Sequence, residues 1–234
     1  MPGVRRLPVG RLRAEPDHFG AVLVLLVGAY VLSVLDDDPW VRIAVTALNL
    51  TALVFAVKAS QPRPPLRAVV RGIVIAGGVL VCVAFLTLPA EDADGITDCV
   101  LVVVLATTLV CIMDRILTAQ DVTLRVIAGA ISAYLLVGLM FAAVFGVVGW
   151  LQGGDFFANG EPPDPETLQY FSFTTITTLG YGDFTAASSA GRGLAALEAL
   201  VGQIFLATLI ARLVSSFRRR PAVTPSPQED ADPT

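Results

Sequence analysis

Histidine occurs once in these 234 residues and cysteine three times, and the cysteine spacing matches no zinc or redox motif. His18 stands where the first apolar run begins, and an interfacial residue is its expected role. Cys82, Cys99 and Cys111 fall in or at the edge of apolar runs and are expected to be small core residues. Charge is also scarce. Only 15% of residues are charged against 55% hydrophobic, and the mean hydropathy of +0.72 excludes an ordinary water-soluble domain. No nucleophile, metal cluster or acid–base pair can be assembled, so neither an enzyme nor a cofactor protein is expected, and no nucleic-acid partner.

What the chain does have is long apolar runs. About 17 to 25 mainly apolar residues cross the hydrocarbon layer, and six stretches qualify: residues 19–35, 41–57, 68–88, 96–117, 127–151 and 190–217. The net charge of −4 matters less than where the charges lie, because cytoplasmic flanks collect arginine and lysine. Arg5, Arg6, Arg11 and Arg13, then Lys58, Arg63, Arg67 and Arg71, then Arg115 and Arg125, and finally Arg218, Arg219 and Arg220 all fall on one side. The other side receives DDDPW (Asp36 to Trp40), AEDAD (Ala90 to Asp94) and a loop with Asp155, Glu161, Asp164 and Glu166, opposed only by Arg42 and Arg192. Both termini are therefore expected in the cytoplasm, with the first span kept as an anchor.

Two regions follow. Residues 1–18 form a cytoplasmic tail and 19–126 a four-helix unit with short connections, QPRPP (Gln61 to Pro65) being a proline-rich linker. Residues 127–217 hold two spans separated by about 38 residues, and a loop of that length in a compact protein is usually functional. Residues 218–234 are polar and proline-rich and are expected to be disordered.

Within the long loop, Asp164 is suited to cap a helix, Pro165 to open it and Glu166 to its positive end. A helix over 165–177 at about 1.5 Å per residue is roughly 20 Å long, enough to dip into a membrane but not to cross it. Tyr170, Phe171 and Phe173 suit a helix packed among others. The chain then runs TTITTLGYGDF, Thr174 to Phe184, polar and glycine-rich between two apolar spans. Non-helical backbone at membrane depth is tolerated only inside protein or along a water-filled path. Gly180 and Gly182 allow left-handed conformations, so successive carbonyl oxygens can face one way.

TTLGYGD, Thr177 to Asp183, resembles the selectivity-filter signature of potassium channels, and the resemblance covers residues 127–217 as outer helix, pore helix, filter and inner helix. It implies an all-α membrane protein with six transmembrane helices, a re-entrant pore helix and a filter loop, assembled as a homotetramer in the cell membrane. Carbonyl-lined filters replace the water shell of a potassium ion. The resemblance then implies K+ as the permeant ligand at Thr178, Leu179, Gly180 and Tyr181, with Gly182 in the outer turn and Asp183 behind the filter. Leu179 departs from the commoner valine, and Thr174 stands where some members carry a pore-helix glutamate.

GRGLAALEALVGQIFLATLIARLV, Gly191 to Val214, resembles the pore-lining inner helix. That match places Gln203, Leu206, Ile210 and Val214 toward the cavity and makes Gly202 a hinge candidate, close helix packing being the alternative. Glu198 is a carboxylate inside a span, and such residues are costly and functional by default. Glu198, Thr174 and Tyr170 are candidates for supporting the filter, Glu198 by bonding threonine hydroxyls or free backbone groups.

Six spans with the pore last are similar to voltage-gated potassium channels, yet the fourth span, ITDCVLVVVLATTLVCIMDRILTAQ, carries only Arg115. Each gating charge is worth about 2.3 kcal/mol per 100 mV, so one terminal arginine cannot make a steep sensor. The expected function is a potassium-selective channel without steep intrinsic voltage gating. The alternatives are a less selective monovalent cation channel, a subunit of a potassium uptake transporter, or a non-conducting regulatory membrane subunit. No ligand-binding domain is expected, and Arg218, Arg219 and Arg220 can meet anionic lipid headgroups.

Overall fold

The computed structural model describes residues 18–35, 39–60, 64–119, 123–153 and 156–218. The N-terminal tail before His18, Asp36 to Asp38, Gln61 to Arg63, Asp155, Arg219, Arg220 and the rest of the C-terminal tail lie outside the described residues. Seven helices appear among those described: α1 (His18–Leu35), α2 (Pro39–Ser60), α3 (Pro64–Thr87), α4 (Ala90–Thr118), α5 (Leu124–Leu151), α6 (Pro165–Ile176) and α7 (Ser189–Arg218). Among them the only sheet-like pairing is one isolated bridge, Phe157 to Ala186.

Five of the helices, α2 to α5 and α7, contain segments long and apolar enough to cross a membrane, and α1 contributes a shorter apolar segment, Phe19–Leu35. The chain is thus a multi-pass membrane protein by length and composition of its helices. At 18 residues α1 rises about 27 Å.

Three sequence expectations are corrected here. AEDAD is not a connection: α4 starts at Ala90, and Glu91 and Asp92 occupy its first turn, where carboxylates face the positive end of the helix dipole. Pro64 and Pro65 are not linker but the opening residues of α3, where a missing N–H breaks no helical bond. The cysteines are not all core: Cys111 is buried, Cys99 is half-buried, and Cys82 on α3 is exposed.

Packing divides into three apolar clusters. One joins α1, α2, α4 and α5 through Val22, Leu26, Ala52, Leu105, Ile112 and Leu136. A second joins α2, α3 and α4 through Leu53, Val70, Val81 and Val104. The third binds α5 to the loop and α6 through Phe145, Phe156, Phe157, Phe171 and Ile176. Arg42, which stood against the charge trend, is answered by α4: its guanidinium lies 2.8 Å from Asp94 and 3.4 Å from Asp98. Such a shielded pair holds helices in register more than it adds net stability.

Candidate pore loop and its supports

The 12-residue helix α6 is opened by Pro165 at its first turn, with Glu166 beside it. Asp164 occupies the capping position in extended conformation but makes no side-chain capping bond. Aromatic rings fix the helix against α5 and the loop. Phe145 and Phe171 stand 5.0 Å apart edge to face, Phe157 and Phe171 5.6 Å, and Phe157 and Phe184 5.1 Å. On the opposite flank Phe173 meets Tyr30 of α1 at 5.1 Å. Edge-to-face contacts of this kind each contribute about 0.5–1.5 kcal/mol beyond area burial.

Helix α6 ends at Ile176, and the residues after it change handedness one by one. Thr178 (φ 58°), Gly180 (φ 52°) and Gly182 (φ 80°) have positive φ, whereas Leu179 and Tyr181 between them do not. An extended strand points successive carbonyls to opposite sides; flipping every second residue into the left-handed region brings them to one side. Thr178 is the only non-glycine among the described residues with positive φ, an uncommon conformation whose cost is of order 1–3 kcal/mol and which clusters at functional sites. The turn is anchored below by Thr174, whose carbonyl accepts from the N–H groups of Leu179 (2.8 Å) and Gly180 (3.1 Å). Its hydroxyl donates back into its own helix, to Phe171 O at 3.0 Å, so Thr174 supports this segment through backbone and not side chain.

At the other end, Tyr170 donates its phenol to Asp183 Oδ2 at 2.7 Å, and Asp183 Oδ1 accepts from the N–H of Phe184. The bond lowers the Asp183 carboxyl below its usual range and pushes the Tyr170 phenol up to about 12, because it favours the anion of one and the neutral form of the other. Asn159 from the loop donates to Asp183 O at 3.3 Å.

Glu198 is wholly buried at 0% exposure. Its partner is Ser172 of α6, in place of the threonines or free backbone groups expected, with Ser172 Oγ 2.5 Å from Glu198 Oε1 and 2.7 Å from Gly138 O of α5. One hydroxyl therefore joins three helices. Glu198 Oε2 has no hydrogen-bond partner. Gly202 packs one turn further along α7, where a Cβ would stand 2.6 Å from both Cγ1 and O of Ile176. Helix α7 runs unbroken through it from Ser189 to Arg218. Gln203, Ile210 and Val214 are exposed in the single chain and Leu206 is half-buried. Leu179, at 55%, and Tyr181, at 69%, are exposed too.

Ser172, Tyr134, which donates to Ile176 O at 3.3 Å, and Asn159 were not singled out from sequence. Ser172 had one signal available: it is a lone small hydroxyl among aromatic residues on a buried helix face.

Residues 133–219 match the family model described as "Ion channel". This segment is similar to ion channels. It runs from within α5 to just past α7 and so contains every element of the pore loop. A match of this kind indicates a channel rather than an enzyme. No curated protein matches the chain.

Proposed function

We propose that this channel is potassium-selective, that four copies assemble around the pore loop in the cell membrane with both termini cytoplasmic, and that it opens without steep intrinsic voltage dependence. The observation that carries the reading is the alternation of φ over Thr178, Leu179, Gly180, Tyr181 and Gly182, directly after a short helix. A file of carbonyls on one side of a backbone is what a dehydrated cation needs in place of water. In four copies, Thr178 to Tyr181 would supply four layers of oxygens, and the C-terminal end of α6 would direct partial negative charge toward the cavity below. The exposure of Leu179 and Tyr181 and of most of α7 supports a surface completed by neighbouring copies.

Six spans, α1 included, are required for both termini to share one side. The absence of steep voltage gating rests on α4, whose basic residue Arg115 lies in its last turn, exposed, while its outer end carries Glu91, Asp92, Asp94 and Asp98. In proteoliposomes bathed by unequal potassium and sodium, the reversal potential should follow the potassium gradient. Reversal at the value for equal permeability would leave a less selective cation channel, and no flux at all a non-conducting subunit.

A further inference from the structure

Helix α4 ends at Thr118 and α5 begins at Leu124, so five residues connect the four-helix unit to the pore unit. Fully extended they reach about 17–18 Å, less than two helix diameters. A connection of that length constrains where α4 can lie: beside the α5 that follows it. Contacts along both helices agree. At the outer end, a Cβ on Gly95 would stand 2.2 Å from the Trp150 ring, and Trp150 donates its indole N–H to Asp92 at 3.1 Å. Nearer the middle, a Cβ on Gly146 would lie 2.0 Å from Asp98 Oδ2. At the inner end a Cβ on Gly129 would stand 3.5 Å from Ile116 Cδ1. Glycine at 95 leaves room for the Trp150 ring and glycine at 146 for the Asp98 carboxylate, so the α4–α5 surface is shaped for this approach and is not generic apolar contact.

Two further links lie away from that hairpin. Ser33 of α1 donates to Gln169 Oε1 of α6 at 2.9 Å, a buried bond between the four-helix unit and the pore helix. Arg212 of α7 donates to Ala119 O, at the end of α4, at 2.7 Å.

We propose that each four-helix unit packs on the pore unit of its own chain and not on that of a neighbour, a statement that rests on the tetrameric reading above. The interaction surface of α1 and α4 is then filled within one chain, and the faces of α7 bearing Leu197, Leu200 and Ile204 are the ones left for other copies. A displacement of the four-helix unit acts on its own pore helix through Ser33 and Gln169, and on its own inner helix through Ala119 and Arg212. It does not pass through a linker lying across the next subunit.

Engineered cross-links in the full chain test this. In a background with Cys82, Cys99 and Cys111 replaced by alanine, Asp98→Cys is combined with Gly146→Cys. The Gly146 Cβ position lies 2.8 Å from Asp98 Cγ, compatible with the roughly 3.5–4.5 Å between Cβ atoms that a disulfide requires. A second pair, Ser33→Cys with Gln169→Cys, is bridged by a short bis-thiosulfonate and guards against a first pair that disturbs the Arg42 site. After oxidation or bridging in the membrane, denaturing electrophoresis should show a band of single-chain mass that no longer takes up two maleimide mass tags. A ladder of dimers to tetramers, or linkage between differently tagged chains that carry one cysteine each, would overturn the proposal. Both pairs staying free to react would also overturn it. Native mass of the same preparations reads the assembly separately: one chain per particle would remove the tetramer while leaving the own-chain contacts standing.

Discussion

The phenol of Tyr170, on the pore helix, donates to Asp183 Oδ2 beyond the glycine-rich turn at 2.7 Å, so the far end of the proposed filter is tied to the helix that precedes it, thirteen positions back along the chain. The bond favours ionised Asp183 and neutral Tyr170. Its contribution is therefore complete between the ordinary carboxylate and phenol ranges, about pH 4 to 10. On the acid side it is lost as pH falls through the lowered Asp183 value, and on the alkaline side only as Tyr170 ionises near about 12. Potassium flux should be flat across that window. Tyr170→Phe should shorten open bursts at pH 7 and move the acid-side loss upward, as read in single-channel records over a pH series. An unchanged acid limb would show that this bond does not hold the filter.

Gly202 abuts the end of α6, with room for no side chain between its Cα and Ile176 O. Gly202→Ala should destabilise the folded protein by about 1–3 kcal/mol, the usual cost of overpacking. Because one of the clashing atoms is backbone, trimming Ile176 to valine should rescue it only in part. Thermal unfolding in detergent measures both; a neutral Gly202→Ala would favour a hinge role without tight packing.

Ser172 and Glu198 should behave as a coupled pair. Ser172→Ala leaves the carboxyl of Glu198 buried without its partner and should cost about 1–3 kcal/mol, whereas Glu198→Gln keeps the shape and a hydrogen bond and should cost less. Glu198→Gln should also keep potassium selectivity while altering open probability. A double-mutant cycle on thermal stability checks the pair, and additive losses would contradict direct coupling.

Gly180 has φ 52° with open space around it, so conformation and not crowding limits substitution there. Gly180→Ala should strain the turn by about 1–2 kcal/mol and reduce potassium flux more than it lowers thermal stability. Equal flux for Gly180→Ala and wild type in a liposome assay would argue that the left-handed residue is not required.

The helices were legible because apolar runs, proline and acidic starts are local signals. Pro165 and Glu166 placed α6 to within a residue of its observed end. The start of α4 was misread because Glu91, Asp92 and Asp94 look like loop, although a helix N-terminus and Arg42, distant in sequence, accommodate them. The glycine-rich turn was readable as special backbone, but the positive φ of Thr178 was not, since no residue type announces it. Glu198 stood out as a charge in a span, while its partner Ser172 depended on the packing of three helices.

The most direct test of the central claim is the reversal potential of the purified, reconstituted protein in mixed potassium and sodium, with Gly180→Asp as the pore control. A potential that follows potassium in wild type, with flux abolished in Gly180→Asp, is the predicted result. A potential indifferent to the potassium gradient, or equal flux from both proteins, would contradict it.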